Sequence, residues 1–159
     1  MRKFLLAFFL ILPVLVPVGM IVQNLAAKGS EWELSVRGYD PRDLLRGRYI
    51  LFQYDVIGHD NSPYDYVVCL NGDRQNYDVA VLDPDLTDFC DAWIEKIHLY
   101  GEQRYYIPES IADRADRLAR TEADRIKALV EIKNGRLILK SLLIDGVDIA
   151  EYIRRESVE

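Results

Sequence analysis

The chain has 159 residues, enough for one compact domain and one further short segment, and its 20 basic and 26 acidic side chains give a net charge of −6. Arg2 and Lys3 precede the first apolar run, so the remaining chain has 18 basic against 26 acidic residues and a net charge of −8. This acidic balance argues against nucleic-acid binding, which needs clustered Lys and Arg, and disfavours adsorption on anionic lipid.

The first predicted element is a single transmembrane helix. Residues 4–22 contain no charged side chain, and this run is close to the ~20 residues that cross ~30 Å of hydrocarbon. Arg2 and Lys3 predict a cytoplasmic N-terminus by the positive-inside rule. We therefore expect a signal anchor over residues 1–27, in contact with the lipid bilayer through residues 4–22, and an extracytoplasmic β-rich domain over residues 28–159.

A cleaved signal peptide is the alternative to a retained anchor. Signal peptides have an apolar region of ~7–15 residues followed by a small-x-small cleavage site. The apolar run of this chain is longer, and Leu25 or Asn24 occupies the position where a small residue is needed. The sequence therefore favours a retained, single-pass anchor in the bacterial inner (plasma) membrane, with the domain periplasmic or extracellular.

The domain itself is predicted to consist mainly of strands. Apolar and polar residues alternate over 32–36, and aromatic and β-branched residues with two apolar faces predict a central strand over 49–56. Between them, residues 42–46 are predicted to form one helical turn. Further segments with strand or turn signals are a hairpin of 64–70 and 77–82 through Asn71-Gly72-Asp73, a turn at 83–85, a short helix at 86–92 and a strand at 93–100.

The last part of the domain is predicted to contain one amphipathic helix and a hairpin. Residues 110–127 carry an apolar stripe at helical spacing, and Ser110 is the expected N-cap. Asn134-Gly135 predicts a tight turn between strands 129–133 and 136–144, and a second turn follows at 145–146. The predicted fold class is α+β, mostly antiparallel β in a sheet or partly open barrel, with one amphipathic helix and a preceding transmembrane helix.

The two cysteines, Cys69 and Cys90, lack the spacing of a zinc site. Outside the cytoplasm they could form a disulfide worth ~3 kcal/mol, but two buried free thiols are the favoured interpretation. His59 is expected in a solvated loop and His98 in a strand. Neither has a nucleophile or a second metal ligand nearby in sequence, so the sequence indicates no catalytic residue, no metal site and no cofactor.

One cluster of charged and aromatic residues surrounds a loop with Pro and Gly. It consists of Tyr39, Asp40, Arg42, Asp43, Arg46, Arg48, Tyr49 and Tyr54. An Arg–carboxylate network that locks the loop against the sheet is the favoured role, and a recognition surface is the alternative.

The segment from Asp40 to Tyr54, DPRDLLRGRYILFQY, resembles the membrane-anchored bacterial G-D-Y-x-x-L-x-Y family. The resemblance extends to Tyr100-Gly101, to the Tyr106–Glu109 segment and to the closing Leu142–Gly146 segment. Arg48 replaces the family's Asp, which reverses a charge, and Phe52 replaces its Leu. The resemblance implies an envelope protein without an established reaction.

A weaker resemblance links Pro41, Leu44-Leu45 and Gly47 to the region after the nucleophile of type I signal peptidases. Gly38 occupies the position of the nucleophilic serine, so acyl-enzyme chemistry of that kind is excluded. A barrel scaffold shared with those enzymes but inactive is still possible, because a fold does not imply a function.

We therefore expect a non-enzymatic binding or accessory module for another envelope protein, such as a polytopic membrane protein. The alternative is a hydrolase whose site is assembled only by the fold. The candidate binding residues are Asp40, Arg42, Asp43, Arg46, Tyr49, Tyr54 and Glu109.

Overall fold

A computed structural model of the chain describes residues 29–40, 49–57 and 64–156, and for 38–40 it describes the backbone. The predicted anchor, the predicted helical turn at 42–46 and His59 lie outside these residues. Within the described part, no helix combines the length and the apolar character that a bilayer span requires.

The larger sheet has six antiparallel strands and curls into a half-barrel. Its strands are β1 (Ser30–Asp40), β2 (Tyr49–Tyr54), β6 (Gln103–Tyr106), β7 (Ile126–Lys133), β8 (Arg136–Ile144) and β9 (Val147–Asp148), in the order β6-β2-β1-β7-β8-β9. The period-2 pattern that predicts β1 buries Trp32, Leu34 and Val36 in the core. The predicted hairpin of β7 and β8 through Asn134-Gly135 is confirmed.

The second sheet has three strands, β3 (Val67–Gly72), β4 (Tyr77–Leu82) and β5 (Ala92–Glu95), in the order β4-β3-β5. The predicted β3–β4 hairpin is confirmed, but its turn begins two positions later, because Asn71 and Gly72 still pair with Asp78 and Tyr77. A 3₁₀ helix follows at Pro84–Phe89, close to the short helix predicted at 86–92. β3 is buried on both faces, with Val68 and Leu70 in the main core.

The favoured interpretation of the cysteines as free thiols is wrong. Cys69 and Cys90 form a disulfide, with their Cα atoms 5.3 Å apart. The 3₁₀ helix returns the chain to β3, which brings Cys90 beside the buried Cys69. Sequence spacing alone could not show this return.

Three α-helices are present in the described ranges, whereas the predicted fold class has one amphipathic helix there. They are α1 (Lys96–Leu99), α2 (Glu109–Thr121) and α3 (Ile149–Glu156). The predicted mostly antiparallel β fold is thus confirmed, and the number of helices was underestimated.

The strand predicted at 93–100 is wrong beyond Glu95. β5 pairs with β3 only as far as Glu95 opposite Val67, where β3 begins. Without a strand partner the chain turns into α1, which buries Leu99 in the core and places His98 on a helix rather than on a strand.

The helix predicted at 110–127 ends six residues early. α2 stops at Thr121, a 3₁₀ turn follows at Ala123–Arg125, and Ile126 opens β7 opposite Ile144. Pairing with two neighbouring strands outweighs the continuing helical periodicity at this point. Ser110 is not the N-cap, because Pro108 precedes the first helical residue and no side chain caps the helix.

Candidate functional site

The two tyrosines of the predicted site lie on opposite faces of β2. Tyr49 and Tyr54 are five residues apart, and successive side chains of a strand alternate between its faces. Tyr54 is buried with its ring edge-on to Phe52, at a centroid distance of 5.6 Å. Burial raises the pKa of Tyr54 to about 12. Tyr54 is therefore part of the core and is remote from any surface that includes Tyr49.

Tyr49 belongs to a small aromatic cluster on the other face of β2. Its ring meets that of Tyr106 edge-on at 5.8 Å, and the Arg104 guanidinium lies 5.2 Å from the Tyr49 centroid. Tyr106 is 63% exposed, so this cluster reaches the surface. Arg104 and Tyr106 lie on β6, a strand without a clear pattern in the sequence, so the contribution of Arg104 was not predicted.

The remaining predicted residues are less closely connected. The backbone of Asp40 pairs with Leu51, and Arg104 pairs with Leu51 from the other side. Glu109 opens α2 and is exposed. Arg42, Asp43 and Arg46 lie outside the described residues. The structure thus brings Tyr49 to Tyr106 and Arg104, separates it from Tyr54, and leaves the predicted Arg–carboxylate network untested.

Glu33 is a buried carboxylate, with 3% of its surface exposed. Its Oε1 accepts hydrogen bonds from Arg74 Nη2 at 2.9 Å and Gln75 Nε2 at 3.0 Å. The Tyr77 hydroxyl donates to the Glu33 carbonyl oxygen at 3.0 Å, and the Glu33 amide donates to the Arg74 carbonyl oxygen. These contacts bind the β3–β4 turn to β1. Some forty residues separate the partners in sequence, so no local pattern could reveal them.

A second polar cluster joins Ser141, Asp148 and Tyr105. The Ser141 hydroxyl and the Tyr105 hydroxyl both donate to Asp148 Oδ2. The other oxygen of Asp148 accepts the amides of Ala150 at 2.9 Å and Glu151 at 3.2 Å, which caps α3. Asp148 therefore acts as the N-cap of α3, and we interpret this cluster as a helix cap and not as a nucleophile with its general base.

Two carboxyl groups, the half-buried Glu131 and the exposed Asp145, have altered pKa values. The hydrogen bond from Lys140 lowers the pKa of Glu131, and the hydrogen bond from Arg125 lowers the pKa of Asp145. A general acid needs the opposite shift, which burial away from cations produces. Across the described ranges, no group of three or more His, Cys, Asp or Glu side chains could hold a metal ion.

The most distinctive surface lies along β4, which is the edge strand of the smaller sheet. Val79 and Val81 point to the same face as the buried Leu70 and Val68 but are themselves exposed. The 3₁₀ helix lies on the opposite face of this sheet, the face of Cys69, and presents two more exposed apolar side chains, of which Phe89 is 76% exposed. We call Val79, Val81, Leu86 and Phe89 the β4 edge surface.

The disulfide fixes this surface in place. Cys90 directly follows Phe89 and is bonded to Cys69, which lies opposite Ala80 of β4. The Asp91 amide donates to Asn71 Oδ1 at 3.0 Å, and Asp91 Oδ2 accepts the Gly72 amide at 2.9 Å. The exposed Phe89 ring therefore lies on a segment that is attached to β3 by the disulfide and by two hydrogen bonds.

An open groove of about 650 Å³ lies beside this strand. Val56, Tyr77 and Val79 supply apolar surface to its lining, and Asp78 and Lys127 supply charge. The groove connects the β4 edge surface with the end of β2, so an extended partner segment has room along β4.

The chain is similar to a known protein family over most of its length. The family described as GDYXXLXY protein matches residues 13–142, and the chain belongs to this family. The motif segment is Gly47-Arg48-Tyr49-Ile50-Leu51-Phe52-Gln53-Tyr54, and its described part is the central strand β2. No curated protein and no solved structure matches the chain.

Proposed function

We propose that this protein is a membrane-anchored, extracytoplasmic binding module for another envelope or membrane protein and catalyses no reaction itself. Residues 4–22 hold it in the bacterial inner membrane, and the domain of residues 28–159 faces the periplasm or the exterior. The family match begins at residue 13, inside the apolar run, so part of that run is a family feature. The disulfide supports an oxidising compartment, because cytosolic thiols are normally kept reduced.

The observation that carries the binding role is the β4 edge surface. Folded proteins normally protect edge strands with charges, bulges or a covering segment, because an open edge pairs with other chains. Here the edge strand carries exposed Val79 and Val81 on one face, and Phe89 is exposed on the other face of the sheet, on a segment bonded to the neighbouring strand β3. Such an arrangement suits the addition of an extended partner segment to β4, with apolar side chains providing specificity.

The charge around this surface defines the chemistry of the partner. Residues 73–91 contain six aspartates (Asp73, Asp78, Asp83, Asp85, Asp88 and Asp91) and one arginine (Arg74), a net charge of −5. A partner segment that combines apolar residues with Lys or Arg would complement both features, since opposite charges steer association and fix orientation. We therefore propose a basic, extended segment at the extracytoplasmic face of a membrane protein.

Affinity purification of the full-length protein in mild detergent tests this role. The Phe89→Ala variant should lose the captured partner, with recovery lowered at least fivefold, because a large exposed aromatic side chain is a typical binding hot spot. Tyr106→Ala removes another exposed aromatic side chain and should capture the partner normally. Phe89→Ala should keep the wild-type thermal midpoint, and Tyr106→Ala should lower it by only a few degrees, because it loses the edge-on contact with Tyr49.

The opposite pattern would refute the proposed surface. Loss of capture in Tyr106→Ala with normal capture in Phe89→Ala would assign binding to the cluster of Tyr49, Arg104 and Tyr106. Equal capture by the wild type and both variants would show that neither aromatic surface binds the partner.

A further inference from the structure

We infer that a cluster of Tyr64, Tyr66, Lys96, Ile97 and Tyr100, the Tyr–Lys cluster, lies in the headgroup region of the same bilayer that holds the N-terminal helix. The inference rests on the anchor of the proposed function but concerns a different surface from β4. It gives the domain a second contact with lipid and so a fixed orientation on the membrane.

The position of the cluster follows from a chain of contacts that starts where the apolar segment ends. Gly29 donates its amide to Glu131 Oε1 at 3.3 Å, and Ser30 pairs with Ile132. Gly135 lies three residues beyond Ile132, in the turn that follows β7, and is therefore at most ~10 Å from it. The Glu95 amide donates to the Gly135 carbonyl oxygen at 2.9 Å, and α1 begins at the next residue. The Tyr–Lys cluster is therefore at the end of the domain that the anchor enters.

The tether between membrane and domain is short. Six residues lie between Val22, the last residue of the apolar run, and Gly29, and even a fully extended chain of these seven Cα–Cα steps spans at most ~25 Å. The end of the domain near Gly29 must stay within this distance of the hydrocarbon. The headgroup region extends ~5–8 Å beyond the hydrocarbon on each side, so the anchored end of the domain stays within ~20 Å of it even at full extension, and the cluster is within reach of lipid.

The side chains of the cluster match the chemistry of a membrane interface. Tyr64 is 77% exposed and Ile97 is 75% exposed. The Lys96 ammonium lies 4.6 Å from the Tyr66 centroid and donates to the Tyr64 carbonyl oxygen at 2.9 Å. Tyrosine rings favour headgroup depth, lysine buries its stem while its charge stays in water, and an exposed isoleucine is stabilised by leaving water.

The cluster is held rigidly in this arrangement. Tyr66 is buried, and its hydroxyl lies 2.5 Å from that of Tyr100. The Lys96 amide donates to the Tyr66 carbonyl oxygen at 3.3 Å, and Leu99 enters the core. Because α1 is held by the Lys96 hydrogen bond at its start and by the buried Leu99 at its end, the exposure of Ile97 is a property of the fold.

The acidic residues beside the cluster define the lipid. Glu95 accompanies Lys96 and lies 3.4 Å from His98, and Asp65 adjoins Tyr64. These carboxylates counter any attraction of Lys96 to anionic headgroups, so the contact depends on apolar and aromatic partition. The cluster should consequently reach a purely zwitterionic bilayer as well as an anionic one.

Fluorescence quenching in reconstituted vesicles tests this inference. Full-length protein carrying Ile97→Cys, labelled with an environment-sensitive fluorophore while Cys69 and Cys90 remain paired, is reconstituted in phosphatidylcholine with a nitroxide near the headgroup. Thr121→Cys is the matched control, because Thr121 is exposed and precedes β7, whose eight residues span ~26 Å away from the anchored end.

The label at residue 97 should be quenched at least threefold more than the label at residue 121, and Tyr64→Cys should behave like Ile97→Cys. Equal quenching at all three positions, in protein that floats with the vesicles, would overturn the inference while leaving the anchor intact. That outcome includes the case in which the cluster contacts only a protein partner, since none is present. Failure of the unlabelled protein to float would overturn the anchor and the inference together.

Discussion

Removal of the disulfide should destabilise the domain strongly. Cys69 and Cys90 are 21 residues apart, and the loop-closure model gives an entropy change of about 11 cal/mol/K, or about 3.4 kcal/mol at 25 °C. For a domain of this size, 1 kcal/mol corresponds to about 4 °C in the unfolding midpoint. Reduction should therefore lower the midpoint by about 10–15 °C.

The measurement is thermal unfolding of the full-length protein in detergent, followed by tryptophan fluorescence. Both tryptophans, Trp32 and Trp93, belong to the folded domain, and Trp32 is buried in the core. Wild-type protein with reductant is compared with wild-type protein without it, because reduction keeps both sulfur atoms and their packing. A Cys69→Ala, Cys90→Ala variant adds the loss of packing at the buried position 69 and should unfold at a slightly lower temperature still.

The result also bears on the β4 edge surface. Without the bond to Cys69, the segment that carries Phe89 loses its covalent attachment to β3, so capture of the partner should weaken before the domain unfolds. A midpoint that stays within about 2 °C after verified reduction would refute the reasoning that the cross-link restricts the unfolded chain. Thiols that react with maleimide in untreated protein would show that the disulfide is absent.

Three further predictions concern single residues. Arg74→Met should lower the free energy of unfolding by about 1–3 kcal/mol in urea titrations, because the buried Glu33 carboxylate loses its cation, and adding Glu33→Gln should restore part of the loss. Gly135→Ala should lower the thermal midpoint more than Gly146→Ala: both glycines have positive φ, 76° and 80°, but only at 135 would the added Cβ lie 2.1 Å from an indole ring. Burial raises the pKa of Tyr54 to about 12, so the folded state favours the neutral phenol; its contribution to folding stability is complete below pH 10 and is lost between pH 10 and 12. The thermal midpoint of Tyr54→Phe should therefore fall less than that of the wild type over this pH range. An equal fall in the two proteins would contradict the burial argument.

Local patterns predicted the parts of the fold that local physics determines. The period-2 alternation around Trp32 and Leu34 identified β1, and the Asn134-Gly135 pair identified the hairpin of β7 and β8. Both depend on residues close together in sequence. The fold class followed from them, because many short strands with tight turns favour an antiparallel sheet.

The errors came from pairing between distant segments. Ile126 continues the helical stripe of α2, yet it is a strand residue because it pairs with Ile144 of β8, and the next residue, Lys127, pairs with both β1 and β8. The strand expected beyond Glu95 is missing because β3 ends opposite that residue. A single sequence shows the helix and strand propensities of its residues but not which strands will pair. At these two positions strand pairing determines the structure.

The candidate site was harder to predict than the fold. Tyr49 and Tyr54 both stood out in sequence, but strand geometry places them on opposite faces, and burial makes Tyr54 a core residue. Phe89 was not singled out, because its exposure results from the disulfide and the 3₁₀ helix. The acidic composition of residues 73–91 was a signal that could have marked this surface from the sequence alone.

The most direct test of the binding role is site-specific photo-crosslinking in living cells. A benzophenone amino acid replaces Phe89 in the full-length protein, and the same analogue at Thr121 is the control, since both positions are exposed. We expect one discrete adduct with a membrane or envelope protein from position 89, at a yield at least fivefold above that from position 121. Equal yields at the two positions, or no adduct from position 89 in protein that is membrane-bound and folded, would contradict this expectation.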